Sequence, residues 1–341
     1  MAENKRPTIV DVAKAAGVSI STTSNALSGV RRVRPETRRR VLKVADQLGY
    51  EPNLIARSLV GKRSSLVGIL MPDITDNFLT TFVRDVERAV ATQGLGLMIG
   101  DSGNDSKREE RYLRAFHDRR MEGLLIIPTA TTDLGQVTAI AKEIPTVVVD
   151  REISGWTGDF VSCDHRVGAE MLVDHLVSLG HTRIAQLAGD RDLSSARARY
   201  AATRVRLSGH GLVGVAEGFS RFTTEDAKEQ AAEILRGAAD FTALIAGDDL
   251  LALAVVGGAH RAGISVPGDL SVAGFDDIPF AELAWPALTT IRQPVERIAA
   301  EATRLLLESA AGPGRHVLLQ PELIVRDSTV APRGPAHPTH T

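Results

Sequence analysis

Two groups of residues in this 341-residue sequence are equipped for chemistry. The first is the stretch GVSISTTSNALSG (17–29), which holds four serines, two threonines and an asparagine. Short hydroxyls compete with the backbone for hydrogen bonds and lower helix propensity, yet the surrounding pattern reads as helix. Such groups suit a helix that approaches DNA closely, because hydroxyls and amides serve phosphate oxygens and base edges alike. The candidates are Ser19, Ile20, Ser21, Thr22, Ser24 and Asn25, with Thr8 just ahead of them. The second group is a series of aspartates, Asp73, Asp101, Asp150, Asp164, Asp190, Asp248, Asp249 and Asp276, each at or just beyond the carboxyl end of an apolar run. Open α/β sheets bind ligands at those ends, and converging carboxylates suit a ligand rich in hydroxyl donors, such as a sugar or polyol. About half of these aspartates are expected to be turn and cap residues instead.

Catalytic patterns are scarce. The nine histidines and thirty glycines contain no HExxH, G-x-S-x-G or phosphate-binding loop, and GLGLMIGDSG lacks the lysine and spacing of one. The pairs Asp248/Asp249 and Asp276/Asp277 keep a hydrolase as an alternative, weakened because neighbours on a strand point oppositely. No catalytic residue, metal or cofactor is expected.

The elements that must position these groups follow from spacing. Thr8 is a good N-cap for a helix with Ile9, Val12, Ala13 and Ala16 in register, and Gly17 ends it. Ser19 caps a second short helix. A third runs from Pro35 through Val41, Val44, Ala45 and Leu48 to Gly49. Three short helices around one small core, with a glycine-containing turn between the first two, predict a helix-turn-helix whose second helix enters the major groove. Residues 1–63 carry thirteen Lys and Arg against five Asp and Glu, while the remainder carries 27 against 37. A basic module ahead of an acidic body fits polyanion binding by the first part alone.

From Leu66 onward, LVGILMPD, LGLMIGDS, GLLIIPT, TVVVDR, FVSCDH, RIAQLAGD, ALIAGDD, LSVAGFDD and LTTIRQP alternate with amphipathic segments. Near-continuous apolar runs of this kind predict parallel strands buried on both faces. Leu79, Phe82, Val83, Val86 and Val90 form a helical stripe whose expected place is the core. The single cysteine, Cys163, excludes an internal disulfide, no run of eighteen uncharged apolar residues occurs, and the N-terminus lacks a signal-peptide pattern. A cytoplasmic protein with no membrane partner is expected, which also weighs against an exported solute-binding protein.

PTIVDVAKAAGVSISTTSNALSG followed by VRPETRRRVLKVADQLGYEPNLIARSL resembles the DNA-binding headpiece of the lactose-repressor/galactose-repressor (LacI/GalR) family. MPDITDNF, VVVDR, SLGHTRIAQLAG, SSARARY, GDDLLALAVV, VPGDLSVAGFDD and PALTTIRQP extend the resemblance over the body. It implies an all-α helix-turn-helix headpiece (1–50), a hinge helix and linker (51–64), and an α/β periplasmic-binding-protein-like core of two parallel-sheet subdomains (65–330). The first subdomain would comprise about 65–162 and 294–320, the second about 163–291 and 321–330. A disordered tail (331–341) is expected from its Pro, His and Thr content.

The resemblance further implies a transcriptional regulator, in the main a repressor, that binds a palindromic operator in double-stranded DNA as a homodimer. A sugar, sugar acid or sugar phosphate would switch it; an effector-activated or corepressor-dependent regulator is the alternative. In the hinge, Asn53 would cap, Arg57 would contact DNA and Leu59 would wedge into the minor groove. In the cleft, the implied effector residues are Asp73, Asn77, Phe78, Asp150, Arg151, Arg199, Phe222, Asp248, Asp249 and Asp276. The chain departs from the family pattern at Thr23, where valine is usual, at Asn25, often arginine, and at Arg34, usually an N-cap serine. Asp76–Asn77–Phe78 stands for the common N-P-F turn, and Asp248 stands where asparagine is common.

Overall fold

The computed structural model describes residues 7–28, 33–50, 64–221, 223–308 and 313–333. The expected hinge residues Asn53, Arg57 and Leu59, the tail beyond 333 and Phe222 lie outside the described residues. The chain divides into two units, 1–64 and 65–341.

The first unit is three helices. α1 (Ile9–Ala16) begins with a reciprocal capping box, in which Thr8 Oγ1 accepts from the Asp11 amide and Asp11 accepts from the Thr8 amide at 2.8 Å. Gly17 closes it with φ +64°, a conformation glycine adopts without strain. α2 (Ile20–Ser28) packs on α3 (Pro35–Leu48) around Val12, Ala16, Ala26, Val41 and Ala45. Arg34 holds the N-cap position of α3 but makes no side-chain cap, so Pro35 and the acidic Glu36 in the first turn favour that start.

The second unit holds two parallel sheets. Five of the six strands of the first sheet come early: β1 (Leu66–Met71), β2 (Gly96–Asp101), β3 (Gly123–Ile126), β4 (Thr146–Val149) and β5 (Asp159–Cys163). The helices between them are α4 (Asn77–Ala91), α5 (Ser106–Asp118) and α6 (Leu134–Ala141). After β5, α7 (His165–Ser178) leads to the second sheet: β6 (Ile184–Ala188), α8 (Ser194–Gly209), β7 (Glu217–Phe219), α9 (Thr224–Leu235), β8 (Ala243–Ala246), α10 (Asp249–Arg261) and β9 (Ser271–Ala273). The chain continues through α11 (Pro279–Leu283), β10 (Thr290–Arg292), α12 (Val295–Leu307), β11 (His316–Leu319) and β12 (Glu322–Ile324).

The strand orders are β11-β5-β4-β3-β1-β2 and β7-β6-β8-β9, parallel throughout. β10 runs parallel to the end of β9, with parallel bridges at Ala273–Thr289 and Asp276–Arg292, and on its other side pairs antiparallel with β12, which returns in the opposite direction. Each sheet carries its own core. Phe82, Val86, Val90, Ile298 and Leu305 cover one face of the first; Leu235, Phe241, Leu251 and Val255 cover one face of the second.

Candidate functional site

On α2 the hydroxyls divide their work. Ser19 Oγ accepts from the Thr22 amide at 3.1 Å and caps the helix, as its position predicts. Thr23 is fully buried and donates to the Ser19 carbonyl at 3.1 Å, which gives a polar residue a satisfied place in an apolar core. Ser21 and Ile20 are exposed, and Thr22, Ser24 and Asn25 are half-buried. Ser24 and Asn25 make no side-chain hydrogen bond among the described residues, so their polar atoms are available to a partner. Thr8, by contrast, is committed to its capping box.

In the second unit, a cleft of about 810 Å³ opens between the carboxyl ends of the two sheets. The first lobe contributes Asp73, Asp76, Asn77, Thr131 and Arg151; the second contributes Asp190, Arg221, Glu225, Asp248 and Asp276. Asp76 caps α4, its Oδ1 accepting from the amides of Phe78 and Leu79 at 2.9 and 3.2 Å. Asp248 caps α10 in the same way, accepting from the Leu251 amide at 2.7 Å. Asp150, Asp276 and Asp277 end their strands with φ of +65°, +112° and +55°. Left-handed backbone at a non-glycine residue costs about 1–3 kcal/mol and concentrates at ligand sites, where surrounding structure holds it.

Behind the cleft wall a buried network joins the lobes. Arg199 on α8 donates from Nη1 to the Gly247 carbonyl at 2.7 Å, and its Nη2 lies 3.3 Å from Asp276 Oδ1. Its Nε donates to His165 Nδ1 at 3.2 Å, and its guanidinium stacks 3.8 Å above the Phe275 ring. Because Nδ1 accepts, the His165 proton sits on Nε2, 3.2 Å from Ser162 Oγ, which in turn donates to the Asp150 carbonyl at 3.0 Å. Burial and the Arg199 charge hold His165 below its usual value, so the ring is neutral. Its Nε2 also lies 3.2 Å from Asp150 Oδ1, but off line for a hydrogen bond. Burial pushes the Asp150 carboxyl up; the nearby His165 ring and the guanidiniums of Arg151 and Arg199 pull it down further, to about 2. With a neutral ring, the two guanidiniums carry the standing positive charge.

Asp276 behaves oppositely. Burial pushes it up to about 7, Arg199 pulls down, and the Asp76 carboxylate adds to the rise. Asp248 is raised well above the usual carboxylate range by burial and then by Asp276.

Four expected effector residues stand elsewhere. Phe78 is buried in the first-lobe core beside Leu79 and Phe82, because its position on α4 continues the apolar stripe. Asp249 faces away from the cleft: Thr290 Oγ1 donates to one oxygen at 2.6 Å and the Ile278 amide to the other at 2.9 Å. Gly274 makes room for it, since a Cβ there would lie 2.2 Å from Asp249 Oδ1. Asp150 and Arg199 lie behind the wall, consumed by the network just described. The neighbour pairs are therefore split: Asp248 and Asp276 face the cleft, while Asp249 is structural and Asp277 accepts from Arg292 and Arg326 at 2.7 Å each. Asp76, His165 and Gln293, whose Nε2 donates to Asp276 Oδ1 at 2.7 Å, were not foreseen. Only Asp76 carried a local signal, as a cap residue after a strand. Among the described residues, no group of three or more His, Cys, Asp or Glu could hold a metal ion, and no helix is long and apolar enough to cross a membrane.

Comparison with known proteins agrees with this arrangement. Residues 8–53 match the model of bacterial regulatory proteins of the lacI family, and residues 173–329 match a periplasmic binding protein-like domain. The HTH-type transcriptional regulator DegA of Bacillus subtilis is 34% identical over 95% of this chain and 98% of its own length. The ribose operon repressor of the same organism is 35% identical over 88% of this chain and 90% of its own. The crystal structure of the lac repressor dimer bound to operator and the anti-inducer ONPF superposes with a TM-score of 0.84 at 27% identity, covering 96% of this chain and all of that one. With a helix-turn-helix unit ahead of a two-lobed α/β body, and relatives matched over most of their length that are transcription regulators, the chain belongs to the lacI family of bacterial regulatory proteins.

Proposed function

We propose that this protein is a cytoplasmic repressor that reads a two-fold symmetric operator as a homodimer and is switched by a sugar or sugar derivative in the cleft. The observation that carries the reading is the pairing, in one chain, of a basic helix-turn-helix with free polar groups on α2 and a carboxylate-lined cleft between two parallel sheets. On α2, Ser21, Thr22, Ser24 and Asn25 would meet phosphates and base edges, with Ile20 beside them. The hinge roles of Asn53, Arg57 and Leu59 rest on the family resemblance alone.

One short helix reads too few base pairs for useful specificity, and a two-fold dimer doubles the site. The second lobe offers a surface for it: Phe280, Leu283 and Trp285 are 53%, 78% and 92% exposed, an apolar patch that a second copy would cover.

In the cleft, Asp73, Asp76, Asn77, Arg151, Asp248 and Asp276 would meet the effector, while Asp150 and Arg199 fix Asp276 and Arg151 from behind. The lobes, 65–162 with 294–320 and 163–291 with 321–330, would close on it. An effector changes DNA affinity only if it favours one closure state, with couplings of about 1–3 kcal/mol. Gel shifts of the full-length protein on its own upstream DNA, with and without sugars, test the reading. A specific complex that weakens steeply with salt is expected; no specific complex under any of these conditions would end it.

A further inference from the structure

The buried residues of α5 are Glu109, Leu113 and Phe116. Their spacing is that of one helical face, and Leu113 and Phe116 lie in an apolar core of the first lobe. The inward face therefore carries a carboxylate where its period calls for an apolar side chain. Glu109 is only 3% exposed, and burying a carboxylate is costly unless its oxygens are hydrogen-bonded. Its place in the first turn of α5, where the helix dipole favours negative charge, offsets part of that cost.

The hydroxyls that meet it belong to the turn between β3 and α6. Thr132 Oγ1 donates to Glu109 Oε2 at 2.9 Å, and Thr129 Oγ1 donates to the same oxygen at 3.4 Å. A carboxylate oxygen accepts, so each hydroxyl spends its proton there and turns a lone pair to a backbone amide. Thr132 Oγ1 accepts from the Thr129 amide at 2.8 Å, and Thr129 Oγ1 accepts from the Thr131 amide at 3.3 Å. Two hydroxyl relays thus tie two amides of the turn to one oxygen of α5, and the shorter relay, through Thr132, is the stronger. Thr129, Ala130 and Thr131 line the cleft, while Glu109 stands behind them.

From this geometry, and resting on the effector reading above, we infer that Glu109 is a positioning residue of the cleft: it touches no effector and fixes the Thr129–Thr131 wall through the hydroxyls of Thr132 and Thr129. Little else holds that wall. Ala130 and Thr131 are exposed, and within the turn the Thr132 amide reaches the Thr129 carbonyl only at 3.4 Å. A wall ordered before binding spares the effector the cost of ordering it. Because one oxygen serves both hydroxyls, the amide oxygen of a glutamine can take its place, whereas the thioether of a methionine of similar shape cannot.

The test is amide hydrogen exchange of the full-length protein, read over residues 127–134, beside calorimetric titration with D-ribose, D-xylose, D-glucose and D-galactose. In Glu109→Met the Thr129 and Thr131 amides should exchange about tenfold faster, the scale of one lost hydrogen bond to a charged group, while the β6 amides keep their protection. Glu109→Gln should exchange like wild type. Thr132→Val, which cuts the stronger relay and leaves Glu109 in place, should loosen the turn as Glu109→Met does. Any sugar that binds wild type should bind Glu109→Met about tenfold more weakly and recover in Glu109→Gln. Unchanged exchange in Glu109→Met and Thr132→Val, a glutamine variant as loose as the methionine one, or a sugar held equally well by Glu109→Met overturns the inference. Exchange altered as expected while none of the four sugars binds wild type supports Glu109 as the anchor of the turn and counts against the sugar reading alone.

Discussion

Arg199 and Asp276 form a buried pair across the second lobe, Nη2 to Oδ1 3.3 Å apart, in which only the aspartate reaches the cleft wall. In the function proposed above, the arginine would act on an effector through Asp276. Deleting it also leaves the Gly247 carbonyl and His165 Nδ1 without their donor and Asp276 with Gln293 alone. Removing one partner of a buried pair costs about 3–5 kcal/mol, so Arg199→Ala should lose stability of that order in denaturant unfolding. Its folded fraction should bind operator normally and no longer respond to effector. A full response would exclude this cleft as the switch.

The cleft carboxylates give a pH signature. Asp276, folded near 7 and ordinarily about 4, binds a proton in the folded state first, so stability rises as pH falls between those values. Asp150 acts in the opposite sense. Held at about 2, its contribution is present above about pH 4 and is lost as pH falls toward 2. Unfolding should be hardest near pH 5 and easier at pH 8 and pH 3. In Asp248→Asn/Asp276→Asn the gain from pH 8 to 5 should shrink; an undiminished gain would place its origin elsewhere.

Asp248 and Asp249 should separate cleanly. Asp249→Ala strips Thr290 and the Ile278 amide of their buried acceptor and should cost about 1–3 kcal/mol, with effector affinity unchanged. Asp248→Asn should do the reverse: stability near wild type, altered ligand binding. Thermal unfolding and titration of both variants check the contrast.

In the first unit, Arg34→Ser should add a cap to α3 worth about 0.5–1 kcal/mol. It removes one positive charge, and in the DNA-bound state proposed above the salt slope of binding should fall by roughly one where Arg34 meets phosphate. Unfolding midpoints and anisotropy titrations at several salt concentrations read both effects.

Much of this was legible in sequence because it is local. Thr8 and Ser19 are caps by type and position, and all nine apolar runs became strands. Phe78 was also legible: it stands four and eight residues before Phe82 and Val86, the spacing of one helical stripe, and that period outweighs its resemblance to a pocket aromatic. The Asp249 role was not legible, since Thr290 is 41 residues away and only the folded chain brings its hydroxyl to the Asp249 carboxylate. His165 carried no signal at all. It becomes a link between Arg199 and Ser162 only when α7 and α8 are brought together by the second sheet. β7, β11 and β12 are short, and two of them are half-exposed edges, so their apolar runs were too brief to notice.

In the proposed function α2 reads duplex sequence for a symmetric regulator, and selection from a random DNA pool tests this most directly. Full-length protein should enrich a two-fold symmetric motif. Asparagine pairs with adenine and arginine with guanine in the major groove, so Asn25→Arg should shift one position in each half-site toward guanine. No enriched motif, or the same motif for both proteins, would contradict the account.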